Sequence, residues 1–129
     1  MAVHDKDGPT FKRNLTDKHT LYTGSQTDSY FLGKVLDDVG GKKFDVIIDD
    51  GSHIPWHQIF TLETMFDTFL KDGGVYIIED METSYWDRPG VSLYGYPILN
   101  AGIGKHGNAI EKLKTGPSTC RSSRHQHAI

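Results

Sequence analysis

The sequence holds a single cysteine, Cys120, which excludes an internal disulfide and a zinc site built from cysteines alone. Positive charge has no excess either. The 14 Lys and Arg stand against 17 Asp and Glu, leaving no electrostatic footprint for nucleic acid or an anionic membrane. No apolar run approaches the ~20 residues that span a bilayer, and the expected setting is soluble and cytoplasmic. No internal repeat is visible. A chain of 129 residues has room for one domain with a usable core, and not for two ordinary domains.

What is present is an alternation of apolar runs. Residues 1–19 are polar and broken at Gly8-Pro9. A short strand is predicted around Leu21 and Tyr22, ending at Gly24. Tyr30, Phe31, Val35 and Leu36 recur near helical spacing, so a helix is predicted over 28–39, with Thr27 or Asp28 as its cap and Gly40-Gly41 as its stop. Phe44 to Ile48 is rich in β-branched residues and, Asp45 apart, apolar on both faces, as in a central strand of a parallel sheet. Ile59, Leu62, Met65, Phe66, Phe69 and Leu70 form one stripe, predicting a helix over 56–70 that starts at Pro55 and stops at Asp72-Gly73-Gly74. Val75 to Ile78 is a second apolar strand. Residues 90–107 read as a glycine-rich loop and 109–114 as a short helix. Residues 117–129 offer almost nothing to bury and are expected to be a disordered tail. Strand, helix, strand, helix, strand predicts an α/β fold with parallel central strands.

The chemistry sits where these strands end. Ligands of open α/β sheets bind outside the carboxyl ends of the strands. Three such ends are legible: Thr23-Gly24-Ser25-Gln26, then Asp49-Asp50-Gly51-Ser52-His53, then Glu79-Asp80. Parallel neighbours would place them on one edge, roughly 5 to 10 Å apart. Asp50, Glu79 and Asp80 would then converge, and three carboxylates at one point repel unless a cation or protons intervene. A hard divalent ion such as Mg²⁺ takes oxygen ligands of this kind. His53 lies three residues beyond Asp50, and an imidazole of ordinary pKa, about 6.5, suits a general base near neutral pH. Tyr85 and Trp86 follow as a packed aromatic pair or a substrate wall. The plainer alternatives are a turn and helix cap at Asp49 to Ser52, and a solvated strand end at Glu79-Asp80. The coincidence of two apolar strands ending acidic on one edge favours a site.

FDVIIDDGSH, a helix, and LKDGGVYIIEDMETSYW, in that order over about residues 20–88, resemble the class I S-adenosylmethionine-dependent methyltransferases. Within them the resemblance is to the metal-dependent sugar O-methyltransferases of macrolide biosynthesis. It implies a Rossmann-like methyltransferase fold, S-adenosylmethionine and Mg²⁺ as cofactors, and a small-molecule hydroxyl acceptor such as a sugar. It further implies that Asp50, Glu79 and Asp80 hold the metal and that His53 is the base. Gly24, Ser25, Gln26, Asp28 and Asp49 would contact the cofactor, and Tyr85 and Trp86 the substrate. The glycine-rich turn that opens this fold has no counterpart before residue 20. Residues 1–116 are therefore expected to form a partial methyltransferase domain without its N-terminal glycine-loop unit, with Asp5 or Asp7 standing where the ribose carboxylate would be. An inactive cation-binding or interaction remnant and a metal-dependent hydrolase remain as alternatives. An uncovered sheet edge keeps a homo-oligomer open.

Overall fold

The computed structural model describes residues 11–86, 90–93, 95–98, 101–116 and, for their backbone alone, His127–Ala128. Asp5, Asp7 and most of the 117–129 tail lie outside the described residues.

Two parallel strands form the centre. Strand β3 (Phe44–Asp49) pairs with β4 (Leu70–Ile78) in the register Val46↔Val75, Ile47↔Tyr76, Ile48↔Ile77 and Asp49↔Ile78. His127–Ala128, strand β7, pairs parallel to β4 on its other side. Helix α2 (Pro55–Thr68) connects β3 to β4, with Pro55 in its first turn, where a missing N–H costs nothing. It packs back on β4. Leu62 and Phe66 of the helix meet Ile47, Leu70, Tyr76 and Ile78 of the strands, joined by Leu32 and Phe69, in one buried cluster. Alternation in β3 puts Ile47 inside and leaves Val46 and Ile48 exposed at 52% and 58%.

The second helix ends earlier than the stripe suggests. Phe69 caps it, its N–H bonded to Met65 O, and its own carbonyl accepts the Phe44 N–H at 2.7 Å. Leu70 already pairs with Phe44 as the first residue of β4. Asp72-Gly73-Gly74 therefore lies inside the strand, as an irregularity between the Phe44↔Leu70 and Val46↔Val75 pairs. Gly73 takes φ +79, and a Cβ on Gly74 would stand 3.0 Å from the Asp45 carbonyl oxygen. Both positions need glycine.

The strand at Leu21-Tyr22 forms, but not in the parallel sheet. Strand β2 (His19–Tyr22) pairs antiparallel with β1 (Lys12–Thr16) in a separate two-stranded sheet. The polar segment before residue 19 thus supplies a partner strand, and only two of the three expected strand ends come from the central sheet. The hairpin is anchored on helix α1 (Ser29–Asp38): the Tyr22 hydroxyl donates to Asp38 at 2.6 Å, Lys12 pairs with Asp38 at 2.7 Å, and the Phe11 ring meets that of Phe31 edge-on. Asp28 caps α1 by accepting from the N–H groups of Tyr30 and Phe31, and Gly40 and Gly41, both at positive φ, follow its end.

After β4 comes a short 3₁₀ helix, Met81–Tyr85, then the small hairpin β5 (Ser92–Leu93) and β6 (Tyr96–Pro97) inside the segment read as loop, and helix α3 (Ala109–Thr115). Asn108 is fully buried. Its amide donates to Ser84 O and Gly102 O while its oxygen caps α3. No described helix is long and apolar enough to cross a membrane.

Candidate functional site

The central strands end on one edge. The Glu79 N–H donates to Asp49 O at 3.0 Å, so the two acidic exits leave the sheet side by side. Beyond them His53 Nε2 stands 3.2 Å from Asp80 Oδ2, and its Nδ1 stands 3.9 Å from Glu82 Oε1. Asp50, His53 and Asp80 each offer a ligand atom within 4.8 Å of the other two. Two carboxylates and an imidazole this close form a donor set that fits a divalent cation. The Glu79 carboxylate is not in that group, although its residue adjoins Asp80. Asp80 adopts φ 51 and ψ 54, the one positive-φ residue other than glycine among the described residues. Asp tolerates that left-handed conformation better than most residues, and such outliers gather at functional sites.

A groove of about 620 Å³ runs along the same edge, lined among others by Tyr22, Gln26, Asp49, Asp50, Gly51 and Tyr76. Gln26 brings the β2–α1 loop to it. Its side-chain oxygen accepts the Ser52 N–H at 2.6 Å, and its amide donates to Thr61 Oγ1 at 2.9 Å. The contact is tight: a Cβ on Gly51 would fall 2.2 Å from that oxygen. Asp49 is buried in the floor, near the Tyr76 hydroxyl at 3.5 Å and the Gly51 N–H at 3.3 Å. Burial raises its pKa against the opposing pull of these donors.

The other residues read as cofactor contacts have local structural tasks. A Cβ at Gly24 would meet the Phe31 ring at 2.1 Å. The Ser25 hydroxyl pairs with that of Thr27, and the Asp28 carboxylate is engaged as the α1 cap. Tyr85, the last residue of the 3₁₀ helix, and Trp86, which caps it, are both exposed. Sequence reasoning missed an aromatic group around His57. Trp56 and Tyr96 both face the buried His57 ring, at centroid distances of 3.8 and 5.0 Å. His57 Nδ1 lies 2.8 Å from the Ser52 hydroxyl, and burial lowers its pKa. Glu82 was missed as well, since METSY carries no strand or helix period to mark it.

The chain is 49% identical over 72 residues to L-olivosyl-oleandolide 3-O-methyltransferase of Streptomyces antibioticus, covering 56% of this chain and 17% of that protein. It is 46% identical over 77 residues to 8-demethyl-8-(2-methoxy-alpha-L-rhamnosyl)-tetracenomycin-C 3'-O-methyltransferase of Streptomyces olivaceus, covering 58% and 19%. The chain is similar to sugar O-methyltransferases. Mycinamicin VI 2''-O-methyltransferase of Micromonospora griseorubida matches at 43% over 63 residues, covering 49% and 15%. The match to these methyltransferases takes in about half of this chain and less than a fifth of their own length. No family model matches the chain, and no solved structure does.

Proposed function

We propose that this chain carries the hydroxyl-activating part of an S-adenosylmethionine-dependent O-methyltransferase, acting with Mg²⁺ on a small-molecule hydroxyl such as that of a sugar. The observation that carries the reading is the gathering of Asp50, His53 and Asp80 beside the Gln26–Asp49 groove, in a chain similar to sugar O-methyltransferases. Asp50 and Asp80 are the carboxylates proposed to hold the cation, with Glu79 proposed as a third ligand although its carboxylate lies outside the gathered group. Gln26 and Asp49, with Gly24, Ser25 and Asp28 in the Gln26 loop, form the cofactor side, and Tyr85 and Trp86 border the acceptor side.

S-adenosylmethionine, when bound, supplies a methyl group on a positively charged sulfur, and a divalent cation supplies positive charge that makes a neighbouring hydroxyl more acidic. The chain's own residues then have two tasks. His53, whose Nε2 stands 3.2 Å from Asp80 Oδ2, receives the hydroxyl proton as the general base. The Gln26 loop and Asp49 would hold the cofactor beside the acceptor hydroxyl, so that its methyl group could pass to that oxygen.

Isothermal titration of the chain with S-adenosylmethionine and with its demethylated product, each with and without Mg²⁺, tests this. Heat of binding that depends on Gln26 and Asp49 supports it; no heat at millimolar ligand overturns it. A second reading, a cation-binding interaction module without methyl transfer, is favoured by one feature: Val46 and Ile48 stand exposed on β3, whose outer edge is unpaired among the described residues. It predicts Mg²⁺-dependent thermal stabilisation that Asp50→Asn abolishes, with no effect of S-adenosylmethionine.

A further inference from the structure

Two buried polar side chains near the site bond to the main chain that carries its carboxylate and imidazole. Gln58, on α2, is 1% exposed. Its amide nitrogen donates to Glu79 O at 3.1 Å and to Asp80 O at 3.4 Å, the two successive carbonyls at the exit of β4. Thr83, in the 3₁₀ helix just past that exit, is fully buried, and its hydroxyl donates to the main-chain carbonyl of His53. The ties are reciprocal. The element after the His53 loop grips the backbone of Asp80, and the element after Asp80 grips the backbone of His53.

We infer that Gln58 and Thr83 are positioning residues that set the His53–Asp80 geometry of the cation site. The inference rests on the cation reading of that site proposed above. Packing alone does not account for Gln58. Its side-chain oxygen is buried and finds no partner among the described residues. An apolar residue of the same shape would fill the space without an orphaned oxygen, so what glutamine adds is the pair of donated bonds. Those bonds fall where the chain needs them. Asp80 is held at φ 51, a conformation that residues bearing a Cβ leave unless neighbours fix it. Release of the Glu79 and Asp80 carbonyls lets that residue relax toward ordinary backbone angles and swings its carboxylate away from His53 Nε2. Thr83 does the same for the other partner, since loss of its hydroxyl frees the His53 carbonyl and the loop that presents the ring. Ligand-orienting groups of this kind commonly alter metal affinity by about 10- to 100-fold.

The experiment is a Mn²⁺ titration of the full chain, read by calorimetry or by the electron paramagnetic resonance of free ion, beside cation-free thermal melts. Gln58→Met and Thr83→Val keep the side-chain shape and remove the donors. Thr83→Ser restores the hydroxyl. Ser84→Ala is the control: Ser84 is equally buried and accepts the Ala109 N–H, away from both loops. The expected result is a 10- to 100-fold weaker Mn²⁺ affinity for Gln58→Met and Thr83→Val, recovery to within about threefold for Thr83→Ser, and no change for Ser84→Ala despite a lower melting temperature. If Gln58→Met does not fold, the Thr83→Val and Thr83→Ser pair decides. Wild-type affinity in Thr83→Val, or an equal loss in Ser84→Ala, overturns the positioning roles while leaving the cation site standing. Absence of Mn²⁺ binding by the wild-type chain overturns the cation reading itself, and this inference with it.

Discussion

The side-chain oxygen of Gln26 accepts the backbone N–H of Ser52 at 2.6 Å, while its amide donates to the Thr61 hydroxyl. One side chain from the β2–α1 loop thus ties the hairpin end of the molecule to the β3–α2 loop. Gln26→Met removes both bonds and leaves the Ser52 N–H with its partner gone. At about 1 kcal/mol for each bond, urea denaturation should show a loss of roughly 1–3 kcal/mol. Binding of S-adenosylmethionine should weaken in the same variant, because the groove loses the residue that closes its side.

Asp49 sets a pH dependence. Burial holds its folded-state pKa above the ordinary aspartate value of 3.8. Below that value the carboxyl is protonated in folded and unfolded chains alike. As pH rises from 3.8 through the raised folded value, the unfolded chain releases a proton that the folded chain keeps, so stability falls; above the folded value the full cost of the buried charge is present. Asp49→Asn should therefore gain stability over the wild type as pH climbs through this window, with the gain level thereafter. Chemical denaturation from pH 3.5 to 8 checks it, and a difference independent of pH would remove Asp49 as the cause.

His57 acts in the opposite sense. Burial lowers its folded-state pKa below the ordinary 6.5. At higher pH the ring is neutral in both states. As pH falls from 6.5 toward the depressed folded value, the unfolded chain takes up a proton that the folded chain refuses, and stability drops. His57→Leu should flatten the stability profile below pH 6.5. Two-dimensional NMR of the imidazole signals in the wild type gives the direct check, since the ring of His57 should titrate below that of a histidine in the unfolded chain.

How far the sequence foretold these features depends on what kind of force placed them. The β3 and β4 strands and the α2 stripe were legible because Ile47, Leu62, Phe66 and Tyr76 follow the periods of strand and helix. The end of α2 was not: Phe69 and Leu70 continue the helical stripe, and only pairing of Leu70 with Phe44 stops it. The Leu21-Tyr22 strand was visible, but its partner was not, because two apolar residues carry no information about which edge they join. Strand direction predicted that Asp50, Glu79 and Asp80 would converge; Asp50 and Asp80 gather with His53, and the Glu79 carboxylate lies outside that group. The left-handed turn at Asp80, and the buried amide of Gln58 behind it, arise from tertiary contacts that leave no periodic trace.

Asp80 links backbone cost to site chemistry. An aspartate at φ 51 sits where glycine is at home. Asp80→Gly relieves that strain, offset by the greater freedom of glycine in the unfolded chain, and should leave stability within about 1 kcal/mol of the wild type, on the favourable side. The same variant loses the carboxylate facing His53 and should bind Mn²⁺ at least ~10-fold more weakly. Thermal melting and cation titration on one sample separate the two effects. A large destabilisation would mean that the Asp80 side chain holds the fold and not only the site.

The sharpest test of the sheet's orientation uses two neighbouring isoleucines. Ile47 is buried against α2 in the main core, whereas Ile48 is 58% exposed on the opposite face. Strand geometry turns successive side chains to opposite sides, so nearly identical substitutions one residue apart must differ in cost. Ile47→Ala removes buried methyl groups between Leu62 and Tyr76 and should cost about 2–5 kcal/mol. Ile48→Ala, and even Ile48→Lys, should stay within about 0.5 kcal/mol of the wild type, as exposed substitutions do. Urea denaturation of the purified chain gives both numbers. If Ile48→Lys proved as costly as Ile47→Ala, the second face of the sheet would be covered in solution. Sedimentation of the same variant would then show whether a second copy covers it: a shift from dimer to monomer on adding the lysine charge is the outcome that self-association through this apolar face requires.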